Sequence, residues 1–219
     1  MLAPDGVFIS ESHYLIKLLE TLQYDTIYHE HLRYYSVGSI KHLLEMHGLE
    51  VFHARPIPSH GGSIRVYAAR KGTRAIQPSV KQMLDAEPRG AAMRKRLADF
   101  RHDVMLSKLR LHALIRDIKE GGGRICGISA PSRASTMINY VGLDSAIIDY
   151  VCEIEGSLKI GKCMPGTLIP VVEESQMFAD QPDCAIIFSW HIASELAPKL
   201  RAKGFKGKLV TPLPVPRYL

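Results

Sequence analysis

The densest group of chemically active side chains lies at residues 28–31 (YHEH), with YYS following at residues 34–36. As metal ligands, His29 and His31 have the i, i+2 spacing of a strand or loop, but no third ligand is apparent in the sequence. As acid–base groups, a carboxylate beside an imidazole orients it and raises its pKa, which favours proton removal from a substrate. A polar, partly buried turn whose side chains bond to the backbone is the third interpretation.

A second candidate lies at residues 59–63 (SHGGS). The paired glycines Gly61 and Gly62 permit a positive φ and the close approach of a ligand to the backbone, next to His60. Ordinary hairpins contain the same residues, so this motif is weak by itself.

The third candidate, residues 127–136 (GISAPSRAST), falls between a predicted strand and a predicted helix. Backbone N–H groups and the helix dipole favour phosphate at that position. Arg133 could bind a phosphate through two N–H groups. The alternative is a helix N-cap formed by Ser132 or Ser135.

A fourth candidate combines a Gly/Pro loop at residues 159–167 (KIGKCMPGT) with SWH at residues 189–191. Both follow predicted strands, so Lys159 and Trp190 could line one crevice at the carboxyl ends of the sheet. Trp190 fits a core or rim position better than a stacking platform.

The N-terminal elements that would position these groups start with a turn. We predict a strand at 7–10, helices at 12–22 and 37–47, and strands at 49–53 and 64–68 that form an antiparallel ribbon. The first strand has no earlier element to pair with. Residues 73–92 lose hydrophobic periodicity and contain Pro78 and Pro88, which predicts a linker with a short helix at 80–84.

The C-terminal part alternates strand and helix. A long amphipathic helix from Met93 to about Glu120 ends at three glycines. Strands are predicted at 124–128, 147–153, 185–189 and 208–211, and helices at 135–141, 173–178 and 193–202. This alternation predicts a parallel sheet with helices on both faces, which binds ligands at the carboxyl ends of its strands.

Composition excludes several protein classes. The chain has 219 residues, of which 46% are hydrophobic and 23% charged, values that rule out disorder and collagen-like repeats. No apolar run is long enough for a spanning helix and no secretory signal is evident, so we expect no membrane partner. The four cysteines lack C-x-x-C spacing, which indicates reduced thiols in a cytoplasmic protein.

The net charge of +6 favours an anionic partner. A basic cluster at residues 89–101 fits a solvated helix face, and no basic stripe with interleaved aromatics is present, so we expect no nucleic acid partner. A phosphorylated small molecule is the simpler interpretation.

Taken together, these motifs resemble the S-adenosylmethionine-dependent C-methyltransferases of nucleotide-linked deoxysugars. The matching stretches occur in the same order along nearly the whole chain: 24–36 (YDTIYHEHLRYYS), 59–67 (SHGGSIRVY), 127–142 (GISAPSRASTMINYVG), 159–171 (KIGKCMPGTLIPV) and 189–195 (SWHIASE), with PLP at 212–214. That family has an N-terminal zinc-binding domain, a class I methyltransferase domain and a Rossmann-like C-terminal domain that holds the sugar nucleotide.

The resemblance implies an α/β protein with a C-terminal Rossmann-like parallel sheet, preceded by the last strands and helices of a class I methyltransferase domain. Residues 1–72 would be the methyltransferase remnant, 73–92 the linker and 93–219 the substrate domain. The glycine-rich loop and acidic residue that bind S-adenosylmethionine, and the zinc cysteines, are missing from the sequence, so we assign no cofactor-binding or metal residues. The expected partners are a nucleotide-linked sugar and either an N-terminal methyltransferase half or a second copy of the chain.

The family's Y-x-E-H residues lie beside the transferred methyl group and the sugar, and they match Tyr28, Glu30 and His31 here. The resemblance implies that His31 removes a proton next to a ketone, that Glu30 orients or charges it, and that Tyr28 steadies the enolate oxygen or the sugar. The resulting carbanion attacks the sulfonium methyl group.

Substrate-binding residues expected from the same motifs are His60, Gly61, Gly62, Ser132, Arg133, Lys159 and Trp190. The sequence departs from the family at two places: Ser129, Ser132, Arg133 and Ala134 stand where glycine and lysine are common, and residues 153–156 (EIEG) replace an Asp/Asn/Pro pattern. The alternatives are a non-catalytic sugar-nucleotide-binding module and a truncated reading frame that lacks the cofactor site.

Overall fold

The computed structural model describes residues 2–219; Met1, where the first predicted domain begins, lies outside the described residues. The chain forms two compact units. One contains residues 2–22 and 31–101, and the other contains residues 23–30 and 102–219. The division near residue 101 falls inside a helix rather than at the predicted linker, and a short segment from the N-terminal part belongs to the second unit. The domain boundaries proposed above therefore stay a prediction.

The first unit is built on a three-stranded antiparallel sheet with the order β1-β3-β2. Its elements are β1 (Phe8–His13), α1 (Leu15–Glu20), α2 (Val37–Glu45), β2 (Leu49–Ile57), β3 (Ser63–Arg70) and α3 (Pro78–Ala86). The predicted antiparallel ribbon of β2 and β3 is present. The helix predicted from residue 12 begins later, because β1 continues to His13 and pairs with β3 over its whole length.

Residues 73–92 contain more structure than a linker. Helix α3 starts at Pro78, a residue whose fixed φ suits the first helical position. Val80 is 2% exposed and packs in the core of the first unit with residues of α2, β2 and β3. The short helix predicted at 80–84 is present and extends over Pro78–Ala86, because a proline start and one buried apolar side chain fold it onto the sheet.

The second unit begins in the long helix α4 (Gly90–Glu120) and contains a six-stranded sheet. The elements that follow are β4 (Ile125–Ile128), α5 (Ser132–Val141), β5 (Tyr150–Glu153), β6 (Val171–Glu173), α6 (Glu174–Asp180), β7 (Cys184–Ile187), α7 (Ala193–Ala202), β8 (Lys208–Thr211) and β9 (Arg217–Tyr218). The strand order is β6-β5-β4-β7-β8-β9, with β9 antiparallel and the others parallel.

Counted within this sheet, the order is third-second-first-fourth-fifth-sixth, which is the arrangement of doubly wound Rossmann folds. The predicted Rossmann-like α/β class is confirmed. The order reverses between β4 and β7, and ligands of such sheets bind at that reversal, outside the carboxyl ends of the strands. Gly127 in β4 allows close packing there, since a Cβ atom would lie 2.5 Å from Cε2 of the buried Phe188.

Candidate functional site

The segment 23–30 changes from buried to exposed in its middle. Gln23 to Thr26 are buried and include a short 3₁₀ turn, whereas Ile27, His29 and Glu30 are exposed and Tyr28 is half-buried. Burial, followed by the Glu30 carboxylate, raises the pKa of the Tyr28 phenol above its ordinary value. Tyr28 therefore keeps its proton at neutral pH and can donate a hydrogen bond to an oxyanion.

The next residue, His31, belongs to the first unit, because the division between the units falls between Glu30 and His31. The ring of His31 meets that of His13 edge-on at 4.4 Å between centroids. The ring of His60 lies 6.0 Å from His13 on the same measure. His13, the last residue of β1, therefore lies near two predicted site residues, His31 and His60, and the three imidazole rings form a cluster. The sequence analysis did not single out His13.

The predicted glycine loop adopts the positive φ angles expected of it. His60, Gly61 and Gly62 have φ values of 54°, 87° and 122°. A Cβ atom at Gly62 would lie 2.8 Å from Cβ of Lys17, so the glycine admits the stem of that lysine. The carbonyl of Gly62 accepts a hydrogen bond from the backbone N–H of Tyr14 at 3.2 Å. The close approach predicted for a ligand is made by the protein's own α1.

Arg133 is bound to a carboxylate of the protein instead of being available to a phosphate. It is the second residue of α5, and its side chain is 8% exposed. Its Nε and Nη2 donate to the two oxygens of Asp25 at 2.7 and 2.9 Å. The indole N–H of Trp190 donates to Asp25 at 2.8 Å, and the guanidinium carbon lies 5.0 Å from the Trp190 ring centroid. The guanidinium of Arg133 and the indole N–H of Trp190 are thus directed to Asp25, and the substrate contacts expected of these two residues stay a prediction.

Lys159 lies on the loop that follows β5. Its Nζ donates to the carbonyl of Ala130 at 2.6 Å and lies 3.6 Å from Oε1 of Glu153. The same Glu153 oxygen accepts the backbone N–H of Ala130 at 2.5 Å. The lysine side chain is half-exposed, so it fixes the loop while keeping part of its ammonium group in solvent.

Ser132 is exposed as the first residue of α5. The N-cap residue is Pro131, which makes no side-chain hydrogen bond, so the alternative of an N-cap formed by Ser132 or Ser135 was wrong. No serine side chain caps this helix start.

A cleft of about 670 Å³ lies beyond the carboxyl ends of β5 and β6, apart from all the predicted site residues. Its lining residues are Ile154, Glu155, Glu173, Glu174, Ser175, Phe178 and Lys203. Three carboxylates against one ammonium group would repel a diphosphate, so this cleft does not suit the expected anionic ligand.

Two further findings concern residues 2–219. Within them, no group of three or more His, Cys, Asp or Glu side chains is placed to hold a metal ion. None of the helices in the same range has both the length and the apolar character needed to cross a membrane.

Sequence reasoning missed Asp25 and His13. Asp25 lies within one of the family-like stretches, but its burial could not be derived from the sequence, because the buried residues 22–26 show no hydrophobic period. His13 had no signal, because it falls within a stretch predicted as helix.

Two comparisons with known proteins agree with each other. Residues 58–214 match the family model described as C-methyltransferase C-terminal domain. The whole chain is 34% identical, over 224 aligned positions, to the C-methyltransferase NovU of Streptomyces niveus, and the alignment covers 53% of that protein. The chain therefore spans about half the length of the curated relative that it matches.

Proposed function

Because the chain belongs to the family of C-methyltransferase C-terminal domains, we propose that it is the C-terminal part of an S-adenosylmethionine-dependent enzyme that methylates carbon in a nucleotide-linked keto-deoxysugar. The observation that carries this proposal is the placement of Tyr28, Glu30 and His31. Glu30 is exposed, Tyr28 and His31 are half-buried, and all three follow the buried residues 23–26, so this segment reaches the surface where a substrate can approach it.

The proposed chemistry is a proton transfer followed by carbon–carbon bond formation. His31 takes the proton from the carbon next to the ketone, and the electron pair of that C–H bond moves into the enolate. Negative charge develops on the carbonyl oxygen, where the Tyr28 phenol, whose pKa is raised, donates a hydrogen bond. Glu30 orients or charges the imidazole. A bound sulfonium donor would supply the methyl group: its carbon–sulfur bond would break as the new carbon–carbon bond forms, and the sulfur would keep that electron pair as a thioether.

We propose that the first unit does not bind S-adenosylmethionine by itself. Within residues 2–101, the connection from β1 to the helix that follows it is the single buried residue Tyr14, too short for a cofactor-binding loop. We therefore derive no step through the methyl donor, and we propose that a further methyltransferase part binds it. This chain's own residues hold the sugar nucleotide and move the proton.

The segments that follow β4 and β5 are the proposed contacts for the sugar diphosphate. Ser132 follows β4 and is exposed, and the Lys159 ammonium, which reaches the Ala130 carbonyl from the loop after β5, is partly in solvent. Backbone N–H groups of the first turn of α5 add donors. We do not include Arg133 among these contacts, because its guanidinium donates to Asp25. His60, Gly61 and Gly62 remain proposed sugar contacts.

Proton removal can be measured without the methyl donor. The protein that includes the proposed N-terminal half is incubated in D₂O with a thymidine-diphosphate-linked keto-deoxysugar, and deuterium next to the ketone is followed by mass spectrometry. We expect His31→Ala to lower this exchange by about 10²- to 10⁴-fold, the usual contribution of a general base. Transfer of labelled methyl from S-adenosylmethionine should fall with it.

The matched control is His29→Ala, which removes a neighbouring imidazole that is 86% exposed. This variant should keep the wild-type exchange rate. Equal losses in both variants, or normal exchange in His31→Ala, would remove His31 from the base role. A wild-type protein that neither exchanges the proton nor transfers methyl would refute the enzyme proposal.

A second candidate is a module that binds the sugar nucleotide without catalysis. The complete strand order of the six-stranded sheet favours it, since that unit has the elements of a nucleotide-binding domain. Calorimetric binding of the nucleotide sugar together with no proton exchange would select this alternative.

A further inference from the structure

The segment that carries Tyr28 and Glu30 is attached to the second unit by a buried ion pair. Asp25 is fully buried, with 0% of its side chain exposed, and Arg133 is nearly so. The Asp25 carboxylate accepts hydrogen bonds from Nε and Nη2 of Arg133 and from the indole of Trp190. A carboxylate that meets three donors from two elements has a fixed position and orientation.

The two partners of Asp25 come from the point where the strand order of the sheet reverses. Arg133 follows β4 at the start of α5, and Trp190 follows β7 by three residues. β4 and β7 are neighbours in the sheet. In other sheets of this type the ligand occupies this crevice. Here residues 23–26 fill part of it, and His191 and Gln23 approach the same guanidinium at 3.3 and 3.5 Å.

A buried ion pair is a poor means of stabilising a fold. Desolvation of both charges cancels much of their attraction, and apolar residues of similar size often serve as well. Such a pair instead fixes the relative position and orientation of its two side chains, because its hydrogen bonds form in only one geometry. One short turn connects Asp25 to Tyr28. In this turn the backbone N–H groups of residues 26, 27 and 28 donate to the carbonyls of residues 23, 24 and 26, respectively.

We propose that Asp25, Arg133 and Trp190 are positioning residues that seat the Tyr28–Glu30 segment on the strand-order reversal of the second sheet. This inference rests on the proposed function for its catalytic consequence, but its structural content stands alone. In this proposal the crevice at the reversal holds a reactive segment of the protein. The sugar diphosphate binds beside it, at the contacts proposed above for Ser132 and Lys159.

The catalytic consequence is tested by the split between kcat and KM in the deuterium exchange assay. Asp25→Asn keeps the shape of the side chain and removes its charge. We expect kcat for exchange to fall by about 10²-fold, the effect of misplacing a reacting group by about 1 Å, with KM for the nucleotide sugar unchanged. Trp190→Phe removes one donor and should give a smaller fall in kcat.

The structural readout needs no activity. Hydrogen exchange of the amides of residues 26–28 should become faster in Asp25→Asn, while the amides of β4 and β7 keep their protection. Trp190 is the chain's single tryptophan, so its fluorescence reports directly on this pair; we expect a red shift and stronger acrylamide quenching. The matched control is Arg124→Met, which breaks an exposed ion pair with Asp149 in the same unit and should change none of these readouts.

If Asp25→Asn fails to fold, the paired variant Asp25→Leu/Arg133→Met replaces both charges with apolar groups that the core accepts. A folded paired variant with wild-type protection at residues 26–28 would overturn the proposal, and so would one with wild-type kcat in an exchanging enzyme. A wild-type protein that shows no exchange would refute the proposed function alone, because amide protection and fluorescence still decide the positioning role.

Discussion

Cys126, Cys152 and Cys184 are buried on neighbouring strands of the second sheet, whereas Cys163 is exposed. Burial raises the pKa of Cys184 to about 12. A hydrogen bond with Cys152, together with burial, raises the pKa of Cys126. Thiolates are the reactive form of cysteine, so Cys126 and Cys184 are unreactive at neutral pH, and burial makes all three residues small packing groups.

We predict that a thiol reagent at pH 8 modifies one cysteine of the folded chain quickly and the other three only on unfolding. The reason is that Cys163 alone combines exposure with an ordinary loop environment. Counting modified thiols by mass spectrometry checks this, and Cys163→Ser should abolish the fast reaction. Rapid modification of Cys184 in that variant would contradict the burial described above.

The raised pKa of Cys184 also predicts how stability depends on pH. Its ordinary value is 9.0, so above pH 9 the unfolded chain loses this proton while the folded chain keeps it up to about pH 12. The contribution is complete below pH 9 and is lost as the pH rises towards 12. Urea unfolding from pH 8 to 11 should show a smaller decline in Cys184→Ala than in wild type. Equal declines would contradict this.

At the scale of residues, the sequence identified candidate functional residues but not their hydrogen-bond partners. The YHEH run and Arg133 were identified from type and spacing alone. The ion pair that joins Arg133 to Asp25 was not, because the two residues are separated by 108 positions and neither carries a local sign of the other. Hydrogen-bond partners across a fold depend on tertiary geometry, which periodicity does not encode.

At the scale of elements, the end of α3 stabilises the start of α2. Glu87, the residue that closes α3, is 7% exposed. Its two oxygens accept the N–H groups of Val37 and Gly38 at 2.5 and 3.0 Å. Ser36 accepts the N–H of Ser39 in a capping box. The free N–H groups and positive dipole end of α2 are thus satisfied by a carboxylate from another helix.

We predict that Glu87→Ala lowers the free energy of unfolding by about 2 kcal/mol, because two hydrogen bonds to a charged group are lost at a buried helix start. Urea denaturation measures the change. Glu45→Ala is the matched control, since that carboxylate at the other end of α2 makes a partly exposed ion pair with Lys41 and should cost less than about 1 kcal/mol. Similar losses in both variants would contradict the capping role.

Elements with clear periodicity were predictable, and very short ones were not. The helix at 193–202 and the strand at 208–211 agree with the structure at both ends. β6 and β9 were missed because three or two residues at a sheet edge show no alternation. β1 was predicted too short for a similar reason: residues 11–13 are polar, and strand pairing rather than burial defines them.

At the scale of the whole molecule, the chain matches about half of a longer relative and carries an open sheet edge. Within residues 2–219, β1 forms a strand ladder along one side only, with β3. Phe8 and Ile9 on that strand are 40% and 55% exposed. An edge strand with unpaired backbone groups and apolar side chains is a template for another chain. This supports the proposal of an N-terminal methyltransferase part or a second copy beside β1.

We predict that the 219-residue chain by itself associates as its concentration rises, and that Ile9→Lys suppresses this association. A lysine on an edge strand opposes strand addition, because pairing with another chain would remove its charge from water. Sedimentation velocity over a concentration series measures the effect. Ile76→Lys is the matched control: Ile76 is 52% exposed but lies between β3 and α3, so this variant should associate like wild type. Equal suppression by both variants would mean that added charge, and not the β1 edge, controls association; a monomeric wild type at all concentrations would refute the prediction.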